Sequence, residues 1–412
     1  MGKLASGVGI AKGIGLLTMP AITRIYTPDE FGVLSVFVSS IILIVPLTTL
    51  LYPITIPLPK HDGLALNIAV LSGSLILTVV SILAVVFYLF GESIFGFFNM
   101  TEIARYWWLL ALAIFAASFY ELLAHWATRV KAFAEIAKTK VWQAMISAFL
   151  KIVLGALGFK PIGLLIGDAA QRGGGVVTLI KAFKEDIKKN IHLVTIKRIR
   201  FLASYYIDLP KFRLPSQFLL KLSGQVPVLF FAFQFGQEET GQLGLSLAMI
   251  GLPMTLLGST TGKAYYAEIA KVGPKRSSEI LRITKSVTKR LFVLSLIPCI
   301  VLIFAAPLLF RIVFGAEWEQ AGIFTSIMAI YLLFQFVTSP LMNVFTVYNL
   351  QFKFLQINVI RGILMIIIFG VSFLFNMNVY NTLIIYVAIL SSYYVVIGFQ
   401  IKKVLNRQIL KS

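Results

Sequence analysis

Lys12 and Lys221 each stand roughly eight residues into a long apolar stretch, or about 12 Å along a helix at 1.5 Å per residue. Gly9, Gly13 and Gly15 leave the backbone around Lys12 uncluttered, while Gln217 and Gln225, four residues to either side of Lys221, make one polar stripe with it. A lysine at the centre of a membrane helix costs about 2.5–3.5 kcal/mol on insertion scales, so two at matching positions need a reason to be there. An anion held between two lobes is one such reason. Lysines that snorkel to the interface, or pair with a carboxylate for assembly, are the other.

A second polar face lies in the stretch 137–158, where Gln143, Ser147 and Lys151 recur at i, i+4 and i+8. That face is expected to avoid lipid. Gln335, Ser339 and Asn343 repeat the pattern, although hydrogen bonds between helices explain an uncharged stripe as well as a lumen does. Asp168 and Arg172 are one helical turn apart and able to neutralise one another. Glu121 and His125 share that spacing, and a carboxylate beside an imidazole can load and release a proton during transport. Structural pairing is the alternative for both pairs. Three histidines (His61, His125, His192) without an HExxH pattern, and a single cysteine, Cys299, give no metal site and no intrachain disulfide, and no cofactor is expected.

The elements that must position these groups follow from composition. Of 412 residues, 58% are hydrophobic and only 13% charged, with a mean hydropathy of +0.88, whereas soluble domains carry about 25% charged residues. Too little polar surface remains to cover a water-soluble particle of this size, which excludes the soluble classes and leaves lipid as the solvent. Apolar stretches of spanning length occur at 4–25, 31–57, 64–90, 103–126, 137–158, 161–184, 213–235, 240–262, 288–311, 320–348, 354–376 and 379–402. They predict an all-α integral membrane protein of twelve transmembrane helices. The first stretch carries Lys12 and lacks a small-residue cleavage site, so it reads as a retained helix.

Lysine and arginine gather in segments 128–140, 181–213, 263–290 and 402–411, while Asp29, Glu30, Glu92, Glu102, Glu238, Glu239, Glu317 and Glu319 fall in the opposite loops. By the positive-inside rule, both termini are cytoplasmic and the protein resides in the cytoplasmic (inner) membrane as a multi-pass chain. Trp107, Trp108, Trp126, Trp142 and Trp318 lie near the expected boundaries, where indole prefers to sit. The net charge of +20 then points to anionic membrane lipids as partners and not to nucleic acid.

The longest polar interval, 185–212, divides the chain into an N-terminal six-helix lobe, 1–184, and a C-terminal six-helix lobe, 213–412, and is expected to be a cytoplasmic linker. An internal echo supports two halves: Pro28-Asp29-Glu30-Phe31-Gly32-Val33-Leu34 aligns with Gln237-Glu238-Glu239-Thr240-Gly241-Gln242-Leu243, and the same offset carries Lys12 onto Lys221. Both halves start and end inside, so the repeat is parallel. Enzyme signatures are missing. Gly258-Ser259-Thr260-Thr261-Gly262-Lys263-Ala264 has one residue too few between its glycines for a phosphate loop and no Ser or Thr after the lysine, and Gly173-Gly174-Gly175 reads as a close helix contact.

Arg24-Ile25-Tyr26-Thr27-Pro28-Asp29-Glu30-Phe31-Gly32 resembles the R-x-x-x-P-x-x-F-G turn of polysaccharide-transport proteins. Leu222-Ser223-Gly224-Gln225-Val226-Pro227-Val228, Thr240-Gly241 followed by Leu252-Pro253, and Phe314-Gly315-Ala316-Glu317-Trp318 with Ala321 resemble the later spans of the same family. The family is that of the Wzx-type polysaccharide repeat-unit flippases, in the multidrug/oligosaccharidyl-lipid/polysaccharide exporter superfamily. The resemblance implies a V-shaped transporter of two lobes that moves a polyprenyl-diphosphate-linked oligosaccharide, an O-antigen, capsule or exopolysaccharide repeat unit, from the inner to the outer leaflet by alternating access. It implies a polysaccharide polymerase and chain-length machinery as further partners, and no catalytic residue. Cationic side chains would offset the desolvation of the diphosphate. Lys12, Lys221, Lys151 and Arg172 are the expected substrate-binding cations, with Gln217 and Gln225 beside them and Arg24 added by the motif. Glu121, His125 and Asp168 are the expected ion-coupling groups.

Three other readings compete. A drug or metabolite antiporter of the same superfamily would favour buried carboxylates over buried lysines, and here Lys12, Lys151, Arg172 and Lys221 outnumber Glu121 and Asp168. A membrane-embedded enzyme acting on lipid-linked sugars would need an acid or base within reach of its substrate. An assembly scaffold would tolerate loss of any single lysine.

Overall fold

The first hairpin shows how local chemistry sets the helices. In the computed structural model, which describes residues 2–253 and 258–410, the Thr27 hydroxyl accepts from the Glu30 amide at 3.5 Å and the Glu30 carboxylate accepts from the Thr27 amide at 2.8 Å. With Pro28 at the first helical position, this is a capping box. Met1 and Lys411 lie outside the described residues, as do the side chains of Leu252 and Pro253.

The helices are α1 (Gly2–Ile25), α2 (Pro28–Thr49), α3 (Asp62–Gly96), α4 (Thr101–Arg105), α5 (Trp107–Arg129), α6 (Phe133–Ala156), α7 (Ile162–Gly173), α8 (Val176–Asn190), α9 (Ile196–Tyr205), α10 (Leu214–Pro253), α11 (Ser259–Val272), α12 (Ser277–Phe314), α13 (Glu319–Leu341), α14 (Asn343–Val347), α15 (Gln351–Leu374) and α16 (Val379–Ile409). No strand occurs among the described residues. Nine helical stretches among them are long and apolar enough to cross a membrane, against the twelve expected, for physical reasons. Helix α10 carries two expected spans and is broken only at Gly236, whose φ of 87° a side chain would strain. Glu135, Lys138, Lys140 and Lys151 make α6 polar, and the expected sixth span is interrupted at Gly174 and Gly175 into α7 of 12 residues and α8 of 15.

The chain forms two compact units, Met1–Gly241 and Gln242–Ser412. In the first, α1 lies along α6, α6 along α7, and α3 along α5. The stretch 213–235, expected to open the second lobe, packs here: Gln225 accepts from Ser39 of α2 at 2.8 Å, and Asn99 donates to the Phe233 carbonyl at 2.9 Å. Segment 185–212 is likewise docked and helical. Buried Asn67 of α3 accepts from the Thr195 amide at 3.0 Å and donates to the Leu193 carbonyl at 3.1 Å, and Tyr52 donates to the Ala203 carbonyl at 3.0 Å. Arg129 pins the turn before α3 by donating to the Ile56 and Pro59 carbonyls at 3.0 and 2.6 Å and pairing with Asp62 at 2.8 Å.

The two aligned turns meet within the first unit. A Cβ on Gly32 would lie 2.8 Å from the Gln237 carbonyl carbon, and one on Gly241 would lie 2.7 Å from that of Pro28, so neither position has room for a side chain. In the second unit, α12 lies along α13 and α13 along α16. Gln242 joins α10 to the turn before α13: its amide donates to the Glu317 carbonyl at 2.7 Å, and its oxygen accepts from the Ala321 amide at 2.9 Å, beside fully buried Trp318. Once helices are in lipid, apolar contact no longer drives their association, so such polar clamps and close backbone approaches carry much of the packing specificity.

Candidate functional site

Helix α6 presents Thr139, Gln143 and Ser147 as buried residues one turn apart, with Lys140 and Lys151 partly buried at either end. The face is polar because α7 meets it with its own polar side. Gly167 makes this approach possible, since a Cβ there would run into the Lys151 side chain. Arg172 Nε donates to Asp168 Oδ2 at 2.6 Å, Ser147 donates to Gln171 Oε1 at 3.3 Å, and Gln143 Nε2 donates to the Arg172 carbonyl at 3.4 Å. Lys151 interacts electrostatically with both Asp168 and Arg172. Its position is braced from below by Tyr26, whose hydroxyl donates to the Lys151 carbonyl at 2.8 Å. Burial and the nearby Glu30 carboxylate push the Tyr26 hydroxyl up to about 12, so it stays a donor at any physiological pH.

A third helix contributes from the side. Tyr120 of α5 shares a 2.9 Å hydrogen bond with Thr139, and the Lys140 ammonium sits 4.3 Å above its ring, a cation–π contact of about 0.5–2 kcal/mol. Lys140 also interacts with Arg172 and with Glu121 of α5, which in turn interacts with His125. Lys140, Lys151 and Arg172 thus face Asp168 and Glu121, an excess of positive charge. One acceptor in this region, Gln143 Oε1, is buried without a hydrogen-bond partner, a group that in a folded interior is normally satisfied.

The structure therefore brings together Lys151, Arg172, Asp168, Glu121 and His125 through a chain of polar interactions, and adds Lys140, Tyr120 and Gln171. Lys140 extends the α6 stripe by one turn, three residues before Gln143, a spacing visible in the sequence. Of the remaining expected residues, Lys12 is partly buried on α1, and Arg24 is exposed at the end of that helix. Lys221 and Gln217 are partly buried on α10, and Gln225 is engaged with Ser39. Among the described residues, no group of three or more His, Cys, Asp or Glu is placed to hold a metal ion.

Residues 21–323 match a family described as polysaccharide biosynthesis protein. The chain belongs to that family. No curated protein matches it in sequence, while several solved structures match its fold over nearly the whole length. Lipid II flippase MurJ in an inward closed conformation matches with a TM-score of 0.74 at 13% identity, covering 97% of this chain and 87% of that one. An inward-facing multidrug resistance MATE family transporter of the MOP superfamily matches with a TM-score of 0.71 at 14% identity, over 99% and 96%. A MOP superfamily transporter from Pyrococcus furiosus, described as having a binding pocket of reverse polarity, matches with a TM-score of 0.61 at 13% identity, over 98% and 95%. This member of the polysaccharide biosynthesis family is an all-helical, multi-pass membrane protein with the fold of MOP superfamily transporters.

Proposed function

We propose that the protein is a flippase that moves a polyprenyl-diphosphate-linked oligosaccharide from the inner to the outer leaflet of the cytoplasmic membrane, both its termini being cytoplasmic. The observation that carries this reading is the excess of cationic side chains on the partly buried polar face of α6 and α7, where Lys140, Lys151 and Arg172 outweigh Asp168 and the exposed Glu121. A diphosphate headgroup is too polar to cross hydrocarbon alone, and cations held in a shielded site compensate its lost hydration. Family membership and the likeness to a lipid II flippase support the same substrate class. Lys12, Lys221, Arg24, Gln217 and Gln225 serve as further headgroup and sugar contacts, and Glu121 with His125 as the proton-coupling pair. No bond is made or broken in this reaction; the work is binding and release in two states of comparable affinity.

Anionic lipids are the second partner. Two grooves in the second unit, each with an apolar floor, suit their headgroups: one of about 570 Å³ with Lys353, Lys403 and Arg407, the other of about 490 Å³ with Lys285, Lys289 and Lys402.

The test is transbilayer movement of a fluorescent polyprenyl-diphosphate oligosaccharide in proteoliposomes, with wild type beside Lys151→Ala, Lys12→Ala and Lys221→Ala. Movement above empty liposomes that falls in correctly folded variants supports the flippase and its cations. Movement that survives all three changes keeps the flippase and discards these contacts. No movement under any ion gradient rejects the function.

A further inference from the structure

Helix α9 is held at the level where two membrane-spanning stretches begin. Asn67, about 7.5 Å from the start of α3, binds the Leu193 carbonyl and the Thr195 amide just ahead of α9. A Cβ on Gly63, at the very start of α3, would come within 2.7 Å of the Leu193 side chain. Tyr52, beyond the end of α2, reaches the Ala203 carbonyl within α9 at 3.0 Å. The chain leaves α9 at Tyr205 and enters the next spanning stretch, Leu209–Gly251, just as α3 opens the stretch Asp62–Gly96. The start of a span marks the boundary between hydrocarbon and water, so these bonds fix the depth of α9.

The two faces of α9 differ. Leu202 is buried and Ile199 and Ala203 are partly buried on the face packed against α3. Lys197, Phe201, Ser204 and Tyr205 recur at i, i+4, i+7 and i+8 on the opposite face, and all four are exposed. Phe201 is 62% and Tyr205 67% exposed, their rings stacked at 5.9 Å. Ile196 at the start of the helix and Phe212 beyond its end are as open. Between 196 and 213 the basic residues are Lys197, Arg198, Arg200, Lys211 and Arg213, and the single acid is Asp208. Large apolar groups set among cations, on a helix of low overall hydrophobicity, are the composition of helices that lie in the plane of a membrane interface.

We propose that this outer face of α9, continued by Lys211, Phe212 and Arg213, is a lipid-binding surface: Phe201 and Tyr205 enter the acyl–headgroup boundary and the flanking cations bind anionic phospholipids. Depth and charge together select this occupant. An acidic protein would match the cations, but it would leave two adjacent rings unexplained at the level where spans begin, which is where aromatic side chains gather in lipid. A negatively charged leaflet satisfies both the rings and the cations. The surface belongs to the first unit and is separate from the two grooves of the second. It requires only that the chain spans a membrane, so it stands whatever substrate is carried.

The test places an environment-sensitive fluorophore at Ser204→Cys, on the outer face, in full-length protein whose single cysteine is removed by Cys299→Ala. If that background does not fold, Cys299 is kept, since it is buried. The protein is reconstituted in phosphatidylcholine bilayers with rising phosphatidylglycerol. Lipids brominated on their upper acyl carbons should quench the label, more strongly than iodide in the water, and the quenching should rise and saturate with phosphatidylglycerol. Lys197→Gln/Arg200→Gln, which leaves both rings and the grooves of the second unit intact, should raise the half-saturating phosphatidylglycerol fraction by up to about fivefold per cation. Phe201→Ser/Tyr205→Ser should return the label to water; if it does not fold, the cation variant decides. A label quenched by iodide and untouched by brominated lipid at every composition overturns the proposal and leaves the face to a peripheral protein. Quenching that is equal in neutral and anionic bilayers, or unchanged by the substitutions, overturns it as well.

Discussion

Asp168 and Arg172 are bound to one another across one turn of α7, Oδ2 to Nε at 2.6 Å, and the same carboxylate also lies in the field of Lys151 from α6. One acid thus serves two cations. Asp168 is buried and its partner side chain is mostly covered, so removing the carboxylate leaves both cations uncompensated, whereas removing one cation does not.

Asp168→Asn is therefore expected to lower stability by about 3 kcal/mol, at the lower end for breaking a buried pair from one side. Lys151→Met in the same background should recover part of the loss. Melting temperature in detergent, taken as a double-mutant cycle, reads the coupling, and additive single effects would show that Lys151 does not share the carboxylate.

Lys140 is held over the Tyr120 ring and near Arg172. If it contributes one charge-assisted contact to an anionic headgroup, Lys140→Ala should weaken substrate affinity about 10- to 100-fold, corresponding to roughly 1.5–3 kcal/mol. Lys140→Arg should keep most of it. Titration of a labelled diphosphate lipid by fluorescence anisotropy distinguishes this from equal affinities in all three proteins.

Gln242 satisfies a carbonyl of Glu317 and an amide of Ala321 at once. Gln242→Leu fills similar space but leaves both groups unpaired, with an expected loss of about 2 kcal/mol. Gln242→Glu keeps the acceptor but sets a buried carboxylate oxygen against the Glu317 carbonyl, and should lose at least as much. Chemical denaturation followed by tryptophan fluorescence reports the change, because Trp318 lies in the same turn.

Tyr26 supplies a pH prediction whose sign is fixed. Its hydroxyl is pushed from an ordinary value near 10 to about 12, so the folded chain holds that proton more tightly than the unfolded one. The resulting stability is complete below about pH 10 and is lost as pH rises towards 12. Tyr26→Phe should be less stable by about 1 kcal/mol at pH 7 through the lost bond to the Lys151 carbonyl, and should show a shallower alkaline decline. Melting curves from pH 9 to 12 compare the two, and parallel declines would remove Tyr26 from the alkaline transition.

Much of this fold is legible in the sequence because lipid imposes a simple rule: long apolar runs become helices. The stripe Gln143, Ser147, Lys151 and the turn Asp168, Arg172 are also legible, since their partners lie at helical spacing. Lys140 is harder to see, because it stands at the edge of a basic segment that otherwise reports topology. Arg361 leaves no such trace. The tyrosines with which it interacts electrostatically, Tyr331, Tyr386, Tyr393 and Tyr394, come from two other helices, and in a hydropathy profile their rings look like filler. The docking of 185–212 is hidden for a related reason: its polar composition suggests a linker, whereas its anchor is one asparagine, Asn67, inside a distant apolar run.

The reciprocal contact of Gly32 with Gln237 and of Gly241 with Pro28 has the form of an isologous interface, in which residue i of one subunit meets residue j of the other and j meets i. Here both sides belong to one polypeptide. A symmetric dimer presents such a patch twice from a single gene segment, so any change alters both sides together. In this chain the two turns are encoded separately, and a bulkier residue at one glycine collides with a backbone whose own sequence is unaltered. The contact therefore fixes two backbones against each other inside the first unit at a point where neither turn can take a side chain, and either turn can be spoiled without any change in the other.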